Sequence, residues 1–456
     1  MKVLELDKYH KSLLTLLFFG VLIGAIDIAV VGPAMPSIKS FFGLDVSQSS
    51  WIFNAFLIAH LVSVPLFAKL SDTYGRKNIY IINISLFAFG SLIVFFSDNY
   101  NIFLVGRVIQ GFGAGGIFPV ASAIIGDTFP IEKQGSILGI IGAVFGLAFI
   151  IGPILAGVLL LYNWHLIFLV NIIPAIIIIF FASKILKNKI KEKDLKFDFV
   201  GISLLSIIII LFAYSLSKLK SDILSEKILD FNIIIPLLIS ILLIPIFYLH
   251  QRKIENPIIN TKLLKSQSLR LTYFIGIMAG FLESSSLYVP LFAKEIFDIS
   301  NSRASFMLLP MVFAMLIGAP VAGRLIDKKG VENSITIGTV ILLIGLINFI
   351  LFGNNIIIFY ISGIEIGFGL AFLLGAPLRF LINREVPAEY RASGQGLVTI
   401  STSIGKITSA AILGALLTNK PDLFPAFQEA FSLLILSSLI IIFLTIRLKR
   451  IGYKNI

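Results

Sequence analysis

The chain has 456 residues, of which 57% are hydrophobic and 14% charged, with a mean hydropathy of +0.98 and a formal net charge of +12. A soluble core cannot bury that much apolar surface, so the composition places the chain in lipid. The absence of Cys and the four scattered His exclude disulfides, thiolate metal sites and cysteine nucleophiles, and no cofactor or metal is expected.

A helix needs roughly 20 apolar residues to cross a ~30 Å hydrocarbon layer. Fourteen such segments are predicted, at about 12–35, 50–69, 78–97, 101–125, 136–160, 165–186, 198–217, 231–250, 270–293, 303–324, 333–352, 356–380, 396–418 and 428–447. A β-barrel would need alternating strands, whereas Ile172 to Phe181 is apolar on every side. The predicted class is therefore all-α integral membrane. The first apolar run is too long for a signal peptide and has no small-x-small cleavage site, so it reads as a retained helix.

Basic residues stay on the cytoplasmic side of a membrane. Alternate loops carry 28 Lys and Arg on the side of the N-terminus and 7 on the other, with Arg107 and Lys406 inside spans. Both termini are expected to be cytoplasmic, in a multi-pass protein of the plasma membrane. The Lys-rich stretch Lys184 to Lys196 and the loop Arg252 to Arg270 suit contact with anionic lipid headgroups. Nucleic acid is not an expected partner.

The chain repeats itself. Pro65-Leu-Phe-Ala68-Lys69-Leu70-Ser-Asp72-Thr-Tyr-Gly75-Arg76-Lys77 returns 255 residues later as Pro320-Val-Ala-Gly323-Arg324-Leu325-Ile-Asp327-Lys-Lys-Gly330. Gly111-Phe112-Gly113 pairs similarly with Gly367-Phe368-Gly369, and Pro130-Ile-Glu132 with Pro387-Ala-Glu389. Six spans per repeat leave two extra helices between them. The expected domains are 1–190, a linker with two spans at 191–262, and 263–456.

Several residues stand out on physical grounds. The turn after the second span favours Gly75, which tolerates positive φ, and Asp72 there can cap a neighbouring helix. Arg76 needs an acidic partner, and Asp127 lies at a suitable depth. Arg107 costs at least ~2.5 kcal/mol at its depth and must pair. Asp27, Glu283, Glu365 and Lys406 are further intramembrane ionisable groups, and Lys406 could neutralise either glutamate. His60 reads as a hydrogen-bonded interior residue, while Asn54, Gln110 and Asn171 either line a cavity or cross-link helices. Trp51 and Trp164 read as interfacial anchors. Gly111-x-Gly113-x-x-Gly116 fits a dinucleotide fingerprint formally, but it lies within a lipid-length helix with no preceding strand, so helix packing is expected.

Taken together, motif, repeat and helix count resemble the major facilitator superfamily, specifically its fourteen-helix drug:proton antiporters, over essentially the full length. That resemblance implies two six-helix bundles plus two inserted helices. The loop of Asp72, Gly75, Arg76 and Lys77 is similar to the family's Gly-x-x-x-Asp-x-x-Gly-Arg-Lys motif, with Ala68 in place of the first Gly, and Asp327 and Gly330 repeat it. In the family, pairs such as Arg76 with Asp127 resemble a latch that holds the outward-open form closed inside. Arg107-Val-Ile-Gln110-Gly111 resembles a motif whose Arg is associated with proton movement. Gly146, Gly152, Pro153 and Gly157 resemble the antiporter signature, with Ala156 replacing one Gly, which implies export. Ile26-Asp27-Ile-Ala29-Val-Val-Gly32-Pro33 resembles a first-span motif whose usual Thr and Asn are here Ala29 and Gly32.

The resulting expectation is a secondary transporter that works by alternating access, exchanging inward protons for an outward lipophilic or cationic compound and functioning as a monomer. Burial favours a protonated carboxylate, which makes Asp27 the first choice for the coupling acid, with Glu283 second. A proton symporter or facilitator for a polar metabolite would use the same fold. A membrane enzyme or receptor would need a catalytic cluster or a large soluble domain, and neither is visible in the sequence.

Overall fold

The computed structural model describes residues 7–44, 46–187, 198–218, 231–261, 263–299, 301–417 and 423–452. The expected boundary at 190–191 and most of the Lys184–Lys196 linker lie outside these residues. All regular structure among the described residues is helical. The first seven helices are α1 (Lys8–Phe42), α2 (Val46–Tyr74), α3 (Arg76–Phe95), α4 (Tyr100–Ala114), α5 (Ile117–Thr128), α6 (Ile131–Leu160) and α7 (Leu166–Ile185). Next come α8 (Phe199–Lys218) and α9 (Phe231–Lys253), the inserted pair. The rest are α10 (Gln267–Glu283), α11 (Ser285–Phe297), α12 (Asn301–Phe306), α13 (Leu309–Lys329), α14 (Val331–Phe352), α15 (Ile356–Leu374), α16 (Ala376–Glu385), α17 (Arg391–Leu417) and α18 (Leu423–Gly452).

Fourteen stretches among the described residues are long and apolar enough to cross a membrane, as the hydropathy pattern predicts. Several predicted spans are longer in the structure. α1 extends from Lys8 to Phe42 through Pro33 and Pro36, because the helix continues beyond the hydrocarbon-length apolar run and membrane helices tolerate proline. Several spans are interrupted among the described residues. α4 and α5 meet at Gly115 and Gly116, α10 and α11 at Ser284, and α15 and α16 at Gly375. Such breaks expose backbone groups that a continuous helix would satisfy internally.

Contacts gather the chain into two compact units. One comprises Met1–Pro130, Val144–Ile202 and Val386–Gly396; the other comprises Ile131–Ala143, Ser203–Glu385 and Leu397–Ile456.

The internal repeat is visible inside each unit. Gly75 joins α2 to α3 with φ 96°, and Gly330 joins α13 to α14 with φ 84°. Both angles lie where a side chain would be strained. In the first unit Gly111 lies directly against the Phe56 carbonyl, and in the second Gly367 lies against the Met311 carbonyl. Phe56 and Met311 are themselves equivalent positions of the repeat. A methyl group on either glycine would meet backbone, so close helix packing accounts for the glycines of the apparent dinucleotide fingerprint.

Candidate functional site

The first unit contains a sealed polar cluster. Asp27 of α1 and Arg107 of α4 both have side chains that are 0% exposed. Arg107 Nη1 donates to Asp27 Oδ2 at 2.8 Å. Gln110 Nε2 and Asn171 Nδ2 donate to Asp27 Oδ1 at 2.7 and 2.9 Å. Arg107 and Gln110 lie three residues apart on α4 and so share a face; Arg107 Nη1 also donates to Gln110 Oε1 at 2.6 Å. The guanidinium is fixed further by the Ile52 carbonyl, 3.2 Å from Nε, and by the Phe56 ring, 4.5 Å from its carbon. Ser91 Oγ accepts from Gln110 at 2.8 Å. Arg107 Nη2 has no hydrogen-bond partner among the described residues. Gln110 and Asn171 thus link α4 and α7 to Asp27 of α1.

The second unit contains another intramembrane pair with a different environment. Lys406 Nζ of α17 donates to Glu283 Oε1 at 2.6 Å, and these side chains remain 40% and 27% exposed. Lys406 therefore pairs with Glu283 and not with Glu365, whose carboxylate accepts from Asn348 Nδ2 at 2.9 Å. Glycines bring α10 and α17 together: Gly280 lies against the Thr402 carbonyl and Gly405 against the Ile277 carbonyl. Ser284 and Ser409 share a hydrogen bond at the same level.

The motif residues form a third cluster, wholly within the first unit. Asp72 accepts the Ala392 amide at 3.1 Å and the Ser393 amide and hydroxyl at 2.7 and 2.6 Å. These amides belong to the first turn of α17, where backbone donors lack intrahelical partners and the helix dipole favours an anion. Arg76 Nε donates to Asp127 Oδ2 at 3.0 Å, as the sequence suggests. The same guanidinium also reaches Asp72, Ser71 Oγ at 3.1 Å and the Ala388 carbonyl at 2.9 Å. Arg391 adds a second cation to Asp127 at 2.8 Å. Lys77 donates to the Ser183 carbonyl.

The second unit contains the counterpart. Asp327 Oδ2 accepts the Ser136 amide at 2.9 Å and also its hydroxyl. The charged pair beside it is reversed: at the position of Lys77 stands Glu332, which meets Arg384 at 3.0 Å, where the first unit has Asp127. Gly330 keeps the turn open to this geometry.

In the stretch that resembles the antiporter signature, Gly146 is buried and Gly152 packs on Ala29 of α1, while Pro153 and Gly157 are exposed. Five residues turn an α-helix by about 140° beyond a full turn, so Ala156 and not Gly157 shares the buried face with Gly152. Trp164 is corrected from interfacial anchor to core: it is 6% exposed and stacks on His165 at 3.7 Å, whereas Trp51 is 40% exposed. His60 stacks on Phe56, and its Nδ1 is buried without the expected hydrogen bond among the described residues.

Ser136, Ser393, Arg391 and Arg379 were missed in the sequence. The serines could have been found by extending the Pro-x-Glu echo, since both follow its proline by six positions. Arg379 sits at the end of a span and is buried, donating to Thr399 Oγ1 at 2.8 Å.

The Major Facilitator Superfamily matches the chain over residues 17–410 and 271–451. The chain is 30% identical over 419 residues to a protein of Bacillus subtilis (strain 168) called uncharacterized MFS-type transporter YfiU, covering 90% of this chain and 80% of that one. It is 27% identical to Multidrug resistance protein 3 of the same organism, covering 88% and 78%. Among solved structures, the proton:xylose symporter XylE aligns with a TM-score of 0.68 at 14% identity, covering 95% of each chain. The human organic anion transporter MFSD10 aligns with a TM-score of 0.64 at 15% identity, covering 95% of this chain and 99% of that one. The chain thus belongs to the Major Facilitator Superfamily and is a multi-pass membrane transporter, not an enzyme.

Proposed function

We propose that the protein exports lipophilic or cationic small molecules in exchange for protons by alternating access, with Asp27 as the coupling acid. The observation that carries this reading is the Asp27–Arg107 pair, with both side chains sealed from solvent at lipid depth. Ionisable groups at that depth are expensive and mark ion pathways. A proton taken up by Asp27 removes the charge that holds Arg107 and Gln110, so protonation is felt directly by α4 and α7. Multidrug relatives support the export direction, as does the resemblance at Gly146, Gly152, Pro153 and Gly157.

The clusters around Asp72 with Arg76 and Asp127, and around Asp327 with Ser136, are the proposed conformational latches. Each ties a repeat's motif to a segment from the other repeat, and breaking them is a step of the cycle. The basic-residue asymmetry supports cytoplasmic termini in the plasma membrane. The test is export by proteoliposomes under an imposed proton gradient. Wild type should drive a lipophilic cation uphill, and Asp27→Asn should lose uphill movement while still binding. Uphill export by that variant would overturn the assignment.

A further inference from the structure

On the reading that the protein exports lipophilic or cationic molecules, we infer that Glu283 and Lys406 form the cargo-selecting pair, in which Lys406 is a tethered stand-in that an organic cation displaces from Glu283. The two intramembrane pairs differ in a way that separates their tasks. Asp27 has three side-chain donors and no exposure. Glu283 has one side-chain donor among the described residues, Lys406, and both members of the pair are accessible. A charged pair facing hydrocarbon would be costly, so its accessible side meets water.

Of the two partners, the cation is the one free to leave. Lys406 has a flexible four-carbon stem and a single charged contact. Glu283 is anchored at the end of α10, where the span breaks before α11. Ser284 holds that break by bonding Ser409 and the Phe281 carbonyl, and Ser286 bonds the Glu283 carbonyl. Both hydroxyls are thus engaged with partners other than the carboxylate. If Lys406 swings away, a fixed anion remains at a helix break, the arrangement membrane transporters use to hold charged ligands. An entering organic cation restores neutrality. An entering anion would have to take Lys406 and leave Glu283 uncompensated.

Two ions of equal size and opposite charge, tetraphenylphosphonium and tetraphenylborate, provide the test in purified full-length protein. Glu283→Gln should weaken tetraphenylphosphonium binding by about tenfold or more and strengthen tetraphenylborate binding, since Lys406 is then unopposed. Lys406→Gln should do the reverse, strengthening tetraphenylphosphonium by about tenfold because no internal cation competes. Retained binding of one ion shows that each variant is folded. Wild-type affinities for both ions in both variants would overturn the inference, as would wild type that binds neither. Charge-selective binding through Glu283 without gradient-driven export would leave this inference standing and remove the exporter reading instead.

Discussion

Asp72 and Asp327 stand 255 positions apart and share one pattern of contact: each carboxylate accepts the amide and hydroxyl of one serine, Ser393 for the first and Ser136 for the second. The serines are themselves 257 positions apart, so each repeat supplies the carboxylate of one cluster and the capped segment of the other. The doubling evident in the sequence is therefore a doubling of an interaction as well as of a helix count.

Asp72→Asn keeps the shape but removes the charge that faces the start of α17 and Arg76. Charge-assisted hydrogen bonds contribute about 1.5–3 kcal/mol each. The population of the latched state should therefore fall about tenfold or more, read as a shift in spin-label distance distributions. Ser393→Ala should give a smaller shift in the same direction, because the Ser393 amide remains. Unchanged distributions in both variants would show that the cap has no conformational role.

The reversed pair Glu332–Arg384 should tolerate exchange. Its side chains are 15% and 33% exposed, so each single substitution should cost only about 0.2–1 kcal/mol, and Glu332→Arg combined with Arg384→Glu should recover most of the loss in thermal stability. The corresponding exchange of Arg76 and Asp127 should not recover. Arg76 also serves Asp72, Ser71 and the Ala388 carbonyl, which a carboxylate cannot replace. Equal rescue of both exchanges would contradict this distinction.

The sealed pair predicts non-additivity. Arg107→Ala leaves Asp27 buried without its cation, a loss of about 3–5 kcal/mol where a buried pair is broken. Adding Asp27→Asn should restore thermal stability partly, though not transport. A double variant less stable than Arg107→Ala alone would mean that the pair is not the main source of the cost.

Substitution of Gly75 or Gly330 by Ala should cost about 1–2 kcal/mol at each site, since both glycines have positive φ. Gly157→Ala, on an exposed face with no atom within 4 Å of an added methyl, should be close to neutral in stability. Denaturation midpoints in detergent distinguish the three.

Much of the fold was legible because membrane spans announce themselves by length and apolarity, and because the repeat marks equivalent turns at Gly75 and Gly330. The partner of Arg76 could be guessed from depth. Other pairings were not legible. Lys406 could reach toward Glu283 or Glu365 on sequence grounds, and only the close approach of α10 and α17 through Gly280 and Gly405 selects Glu283. Trp164 was misjudged because span position does not reveal which way a helix is rotated. Asp27 was identified as an acid at depth, but its three donors come from α4 and α7, a convergence that no local pattern encodes.

The most direct test of Asp27 as the coupling acid is proton release from purified protein in weakly buffered detergent when tetraphenylphosphonium is added. Wild type should release protons as the cation binds, and Asp27→Asn should bind the cation without releasing them. Equal release from wild type and Asp27→Asn would contradict the account and move the coupling proton to another group.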